Sequence, residues 1–135
     1  MTPKNIKAKP TEKSKYAVYL KKAKEFHQIM IESQKQQQWN AAGLNAVHCA
    51  ISCCDAITIY YAGIRSIAQD HYSSIDLLSQ SVNLPETSSK CATLRKILSD
   101  KNIIEYEDRD FTQKEAFEIL KLSERFYNWV FLKIG

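Results

Sequence analysis

The stretch from Asn40 to Ile64 constrains the fold of this chain most, because it is apolar on nearly every side of a helix. Its apolar residues recur at spacings of three and four, and most of the positions between them are apolar as well. A helix of this kind has no broad polar face to turn toward water, and its small side chains let other helices approach closely. The stretch therefore predicts the central helix of a helical bundle.

The same stretch also has the length of a transmembrane helix. Polar side chains interrupt it, however, and the carboxylate of Asp55 lies deep inside it. A charged side chain at the centre of a bilayer costs about 3 kcal/mol. We therefore interpret the stretch as a buried helix of a cytoplasmic protein that does not contact a membrane.

Helical patterns account for most of the remaining chain. Glycine and proline occur only three times each, which disfavours a fold of many short strands. Hydrophobic periodicity predicts helices over residues 15–37, 40–64, 71–80 and 88–106, and a last helix that begins after Thr112. The predicted fold class is all-α: an up-and-down bundle of four long helices plus one short helix, in a single domain over residues 15–135.

The last of these helices has a strong start signal. Thr112 is followed three positions later by Glu115, which is the pattern of a capping box, and Phe111 stands where a hydrophobic staple would pack. The acidic residues just before this helix then introduce a helix start and need no catalytic role.

Positive charge is concentrated at the start of the chain. Residues 1–24 contain eight lysines and one glutamate, a net charge of +7, which leaves −3 for residues 25–135. Residues 1–14 contain two prolines and no apolar periodicity, so we predict a flexible, lysine-rich tail. Such a tail is either a solvated extension or an electrostatic arm for nucleic acid, and the lack of interleaved aromatic residues favours the solvated extension.

The four cysteines form no Cys-x-x-Cys pair. Three of them lie in the central helix, which is typical of small core side chains in a reducing compartment. A zinc site made of His48, Cys49 and Cys53 is disfavoured, because His48 and Cys49 are adjacent and point in different directions from a helix. We expect neither a metal nor another cofactor.

A polar stripe on the central helix is the first candidate for a functional site. Asn45, His48, Ser52 and Asp55 recur at spacings of three and four, so they share one side of the helix. Buried polar groups need partners, because burying them without hydrogen bonds costs several kcal/mol. The stripe is therefore either a satisfied polar network in the core or the lining of a pocket.

Two further segments carry candidate residues. In "GIRSIAQDH", Arg65 and His71 would point apart on a straight helix and converge only if the chain bends between them, while Asp70 is the predicted N-cap of the short helix. In "KNIIEYEDRD", two isoleucines are flanked by polar residues on both sides. The candidate site residues there are Lys101, Asn102, Glu105 and Tyr106.

The order of these segments resembles that of the HEPN domains, a family of nucleotide-binding domains found in higher eukaryotes and prokaryotes. The resemblance covers residues 16–131. It rests on "NAAGLNAVHCAISCCDAITIYYAGI", similar to the family's central helix with its histidine, on "DHYSSIDLL", similar to its short segment, and on "KNIIEYEDRDFTQKEAFEILKLSERFYNWV", similar to its closing helices.

The resemblance implies a particular chemistry for active members of the family. They are metal-independent ribonucleases in which an arginine, a polar residue and a histidine act at a dimer interface, so that the RNA 2′-hydroxyl attacks its own phosphate. In this chain Lys101 and Tyr106 stand at the positions of the arginine and the histidine, and Asn102 matches the polar residue. A tyrosine with an ordinary pKa of about 10 is a poor base at neutral pH, and lysine lacks the bidentate fork of arginine.

These departures favour a non-catalytic HEPN-like module. It would be a homodimer that binds a nucleotide, RNA or a protein partner, and the resemblance implies a nucleotidyltransferase as that partner in a pair of toxin–antitoxin type. The candidate binding residues are His48, Asp55, Arg65, Asp70, His71, Asn102, Glu105 and Tyr106.

Two alternative functions stay open. One is a metal-independent RNase toxin, whose candidate catalytic residues are either Arg65 with His71 or Lys101 with Tyr106. The other is a purely structural protein-interaction bundle.

Overall fold

The computed structural model describes residues 6–135, and these contain five α-helices and a two-stranded antiparallel sheet. In chain order the elements are β1 (Ala8–Pro10), α1 (Tyr16–Lys35), α2 (Trp39–Ala62), β2 (Ile64–Ser66), α3 (Tyr72–Ser81), α4 (Thr87–Tyr106) and α5 (Gln113–Ile134). The all-α fold class predicted from the sequence is confirmed, and the predicted helix ends lie within two residues of those observed.

α2 is the central helix, because α1, α3, α4 and α5 all pack against it. It is long and apolar enough to cross a membrane, but 72% of its most apolar window is buried inside the protein, as in the core helix of a bundle. The four cysteines are free and buried in this core. The largest side chains around α2 include Met30 of α1, Ile97 of α4, and Ile119 and Phe126 of α5.

α1 and α2 form an antiparallel hairpin, joined by a short turn in which Gln37 has a φ of 59°. The start of α1 therefore lies beside the end of α2, where the ring centroids of Tyr16 and Tyr60 are 4.9 Å apart. α2 ends at Gly63, whose φ of 66° is left-handed, a conformation that glycine adopts without a steric penalty.

The N-terminal segment differs from the sequence prediction of a flexible tail over residues 1–14. β1 pairs with β2, with Lys9 opposite Arg65, and a 3₁₀ turn follows over Lys13–Lys15. The Thr11 N–H donates to the Gly63 carbonyl at 2.8 Å, which ties the segment to the end of α2. Backbone groups make this pairing, so the lack of apolar periodicity was no guide to it. Residues 1–5 of the predicted tail lie outside the described part.

The start of α5 confirms the predicted capping box. The Thr112 hydroxyl accepts from the Glu115 N–H at 3.1 Å, and the Glu115 carboxylate accepts from the Thr112 N–H at 2.9 Å. Arg109 donates two further hydrogen bonds to this carboxylate, and these bonds lower the pKa of Glu115 to about 2. Phe111 is buried, and its N–H donates to the Asn40 side chain at 2.7 Å, which fastens the α4–α5 connection to the start of α2.

Candidate functional site

Three helices bring six of the predicted site residues into one neighbourhood. His48 lies on α2, Asp70 and His71 come directly before α3, and the other three lie near the end of α4. We use the name histidine–lysine site for the five residues His48, His71, Lys101, Asn102 and Glu105.

The start of α3 shapes one wall of this site. The N-cap of α3 is His71, one position after the predicted Asp70, and its side chain makes no capping hydrogen bond. Asp70 still accepts a hydrogen bond from the Tyr72 N–H, the first residue of α3, at 2.9 Å. A cavity of about 110 Å³ lies there, lined by Gln69, Asp70, His71, Tyr72, Leu98, Lys101 and Asn102. Because one water occupies about 30 Å³ in the liquid, the cavity has room for a few waters or for one small group such as a phosphate.

The charges around the two histidines are coupled. Burial lowers the pKa of His71, Lys101 and His48 lower it further, and Asp70 and Glu105 oppose the change. Burial also lowers the pKa of His48, and Lys101 adds to this effect while Glu105 opposes it. Both imidazoles are therefore neutral at neutral pH, and the positive charge of the site is that of Lys101.

Two contacts fix the polar side chains of this site. The ammonium of Lys101 lies 3.1 Å from the carboxylate of Glu105, one helical turn along α4. The ring of His48 packs against Phe26 of α1, with centroids 5.4 Å apart. The two neutral imidazoles can accept a proton from a bound ligand, and the Lys101 ammonium and the Asn102 amide can hold an anion that displaces the Glu105 carboxylate from Lys101.

Tyr106 lies outside this arrangement, since 73% of its surface is exposed. Five helical positions separate it from Lys101, which turns the two side chains about 140° apart on α4. The structure therefore does not bring Lys101 and Tyr106 together as a catalytic pair.

Arg65 and Asp55 belong to a different cluster. β2 holds Arg65 opposite β1, and its guanidinium lies 5.4 Å from the ring centroid of Tyr19 on α1. Burial raises the pKa of Asp55 to about 7, and the charges of Arg65 and Lys22 oppose this rise. Arg65 does not line the cavity beside His71, so the two do not form the other candidate pair.

The four residues of the polar stripe of α2 lie in different surroundings. Asn45 donates to the Ala41 carbonyl of its own helix at 2.8 Å, and Ser52 is buried. His48 lies near the charges of Lys101 and Glu105 in the histidine–lysine site. Asp55 lies near those of Arg65 and Lys22. The stripe is therefore neither one network nor the lining of one pocket.

A third polar cluster, between α1 and α5, was not found from the sequence. His27 Nε2 lies 3.0 Å from a carboxylate oxygen of Glu124, and the His27 ring stacks on Tyr127 with centroids 4.1 Å apart. His27 and Glu124 are 97 positions apart, so no local spacing could indicate the pair. Across residues 6–135, no group of three His, Cys, Asp or Glu side chains is placed to hold a metal ion.

No family model matches the chain, and no curated protein matches it. The resemblance to the HEPN domains therefore stays a prediction from the three quoted segments.

Proposed function

We propose that this protein is a HEPN-like module that binds a phosphate group of a nucleotide or of RNA at the histidine–lysine site. The observation that carries the proposal is the convergence of Lys101, Asn102 and His71 on a cavity with room for one phosphate. Lysine is a common ligand of phosphate as a point charge, and an amide adds directional hydrogen bonds.

The geometry favours binding over catalysis. A general acid must carry a proton, and the lowered pKa of both histidines leaves little of either imidazole protonated at neutral pH. Lys101 is also already paired with Glu105, which offsets its charge until an anion competes for it.

The proposal includes the finer features predicted from the sequence. The four long helices run up and down, and two chains associate as a cytoplasmic homodimer. The exposed rings of Tyr106 and Phe117, on either side of the α4–α5 connection, support this association. The resemblance to the HEPN domains supports a nucleotidyltransferase as the protein partner in a toxin–antitoxin type pair.

A binding measurement tests the proposed site. We expect a fluorescein-labelled oligouridylate or a labelled ATP analogue to bind the full chain, and Lys101→Gln to weaken this binding about tenfold. Lys96→Gln, on an exposed position of the same helix, is the matched control and should change the affinity less than twofold. Equal effects of the two variants, or no binding of either probe, would contradict the proposal and would favour a purely structural interaction protein.

A metal-independent RNase is the second candidate function, favoured by the proximity of two histidines to one lysine. One imidazole would take the proton of the 2′-hydroxyl as its oxygen bonds to phosphorus. The other, protonated, would give its proton to the departing 5′-oxygen, leaving a cyclic phosphate and a free 5′-hydroxyl. Because the second imidazole must be charged and its pKa is lowered, the rate should rise below neutral pH.

Incubation with total RNA separates this candidate from a binding module. If the protein is an RNase, His48→Gln and His71→Gln should each abolish cleavage, whereas His27→Gln should not, because His27 pairs with Glu124 elsewhere. Intact RNA with the unaltered protein, at neutral and at acidic pH, would exclude the RNase function.

A further inference from the structure

We propose a second binding site, at which a groove between the β1–β2 ribbon and α1 binds an acidic peptide segment of a partner protein. The groove has a volume of about 390 Å³. Its lining consists of Lys9, Pro10, Thr11, Glu12, Lys15, Val18, Tyr19 and Arg65, and we call these residues the cationic groove.

The charge of the cationic groove is unbalanced. Lys9, Lys15 and Arg65 face a single carboxylate, that of Glu12, in its lining. Among residues 6–135, none of these three cations has an ion pair within 4 Å. The structure therefore gathers more positive than negative charge here, with Glu12 in the lining and the buried Asp55 near Arg65 as the opposing carboxyls, and a partner with negative charge would complete the groove.

The aromatic rings near the groove argue for a peptide and against a nucleic acid. Single-stranded RNA binds through free aromatic faces on which its bases stack. The Tyr19 ring already has the Arg65 guanidinium 5.4 Å and the Lys22 ammonium 4.9 Å from its centroid. The Tyr60 ring has the Lys13 ammonium 4.2 Å from its centroid and makes a T-shaped contact with the Tyr16 ring. Arg65, a cation of the groove, and its neighbours Lys13 and Lys22 thus lie over the rings that would hold a base.

Recognition would use side chains, because the outer edge of β1 offers an incoming strand only one N–H, that of Ala8. The Thr11 N–H and the Lys7 carbonyl form hydrogen bonds with the β2 side of the ribbon. Backbone groups of successive residues in an antiparallel strand point alternately toward and away from the partner strand, so the N–H and carbonyl positions of Ala8 and Pro10 face the outer edge of β1. Proline has no N–H to offer an incoming strand. The side chain of Val18, 47% exposed, and the ring of Pro10 provide apolar contacts between the cations. The groove therefore fits a segment that combines acidic residues with an apolar one.

This inference is independent of the proposed function. Arg65 lines the cationic groove and does not line the cavity of the histidine–lysine site. Loss of one kind of binding should therefore leave the other intact.

Fluorescence anisotropy with labelled octaglutamate tests the inference on the full chain. We expect Arg65→Ala to weaken binding about tenfold, as for a charge-assisted hydrogen bond. Lys15→Ala should weaken it about threefold, as for an exposed charge. Lys114→Ala, on the exposed surface of α5, is the matched control and should change the affinity less than twofold. Lys101→Gln should have no effect.

Three outcomes would overturn the inference. They are the absence of octaglutamate binding, binding that neither Arg65→Ala nor Lys15→Ala weakens, and tighter binding of octauridylate that both variants weaken. The last would show a nucleic-acid site.

Because Arg65 contacts Tyr19 and could support folding, circular dichroism must show that Arg65→Ala is folded. Lys15 is exposed, so its variant tests the groove without that concern.

Discussion

Asp55 is a single residue that opposes the folding of the domain around it. Burial raises the pKa of its carboxyl to about 7 from an ordinary value near 4, and the attraction of Arg65 and Lys22 does not offset the burial. Between these two pKa values the folded chain keeps a proton that the unfolded chain releases. Stability therefore falls as pH rises through this window and stays at its lower level above about pH 7.

Removal of this charge should stabilise the protein only where the carboxyl is ionised in the unfolded chain. At about pH 8 we expect Asp55→Asn to raise the free energy of unfolding by about 1 to 2 kcal/mol, and at about pH 4 we expect little change. Urea unfolding at the two pH values measures the difference. Asp108→Asn, at an exposed position, is the control and should be near neutral at both. An equal effect of Asp55→Asn at both pH values would contradict the argument.

The candidate site could be predicted from the sequence only in part. Lys101, Asn102 and Glu105 lie within two turns of one helix, so their proximity follows from spacing. The HEPN-like interpretation grouped His48 and His71 with Asn102 and Glu105, but it also included Asp55 and Tyr106, which lie outside this neighbourhood. Arg65 was grouped with His71 from the sequence, but it lies opposite β1, whose pairing the periodicity did not reveal. His27 and Glu124 meet only through the packing of α1 on α5.

At the scale of an element, α2 shows how small residues set the distance between helices. A methyl group added at Gly43 would lie 2.8 Å from the Cδ1 atom of Ile104 and from two ring atoms of Phe111. Alanine is the better helix former by about 1 kcal/mol. Overpacking a core costs about 1 to 3 kcal/mol, however, and the buried Phe111 ring has little room to move. The steric cost should outweigh the gain.

We therefore expect Gly43→Ala to lower the free energy of unfolding by about 1 to 2 kcal/mol, as measured by urea unfolding. The Phe111→Leu background provides the control, because it removes most of the ring that the new methyl would meet. In that background the same substitution should cost less, so the double-mutant cycle should show coupling. A stabilising effect of Gly43→Ala in the unaltered protein would contradict the packing argument.

The elements themselves were predictable to very different degrees. The apolar stripes of α1, α2, α4 and α5 indicate which side of each helix is buried, and the capping box at Thr112 marks the start of α5. These four helices could therefore be placed from the sequence. β1 has three residues, one of them proline, and its pairing uses backbone hydrogen bonds that leave no periodic signature. The segment was therefore predicted to be flexible.

At the scale of the whole molecule, the proposed homodimer is open to a direct test. Sedimentation at about 50 µM, where an interface of ordinary size is populated, should show two chains per particle. A charge on an exposed ring within the interface should separate them, so Tyr106→Glu should yield monomers. Tyr61→Glu, at an exposed ring on α2, is the control and should leave the dimer intact. A monomer at this concentration for the unaltered protein would contradict the proposal.

The pairing of β1 with β2 has a consequence for the order of events during synthesis. β1 leaves the ribosome before its partner strand β2, which follows only after the whole of α1 and α2 has been made. The α1–α2 hairpin can close first and bring residues 15 and 62 together, so the strands then join across a short gap at a small further cost in loop entropy. Until Ser66 has emerged, we expect the lysines of the first segment to stay open to a protease that cuts beside them.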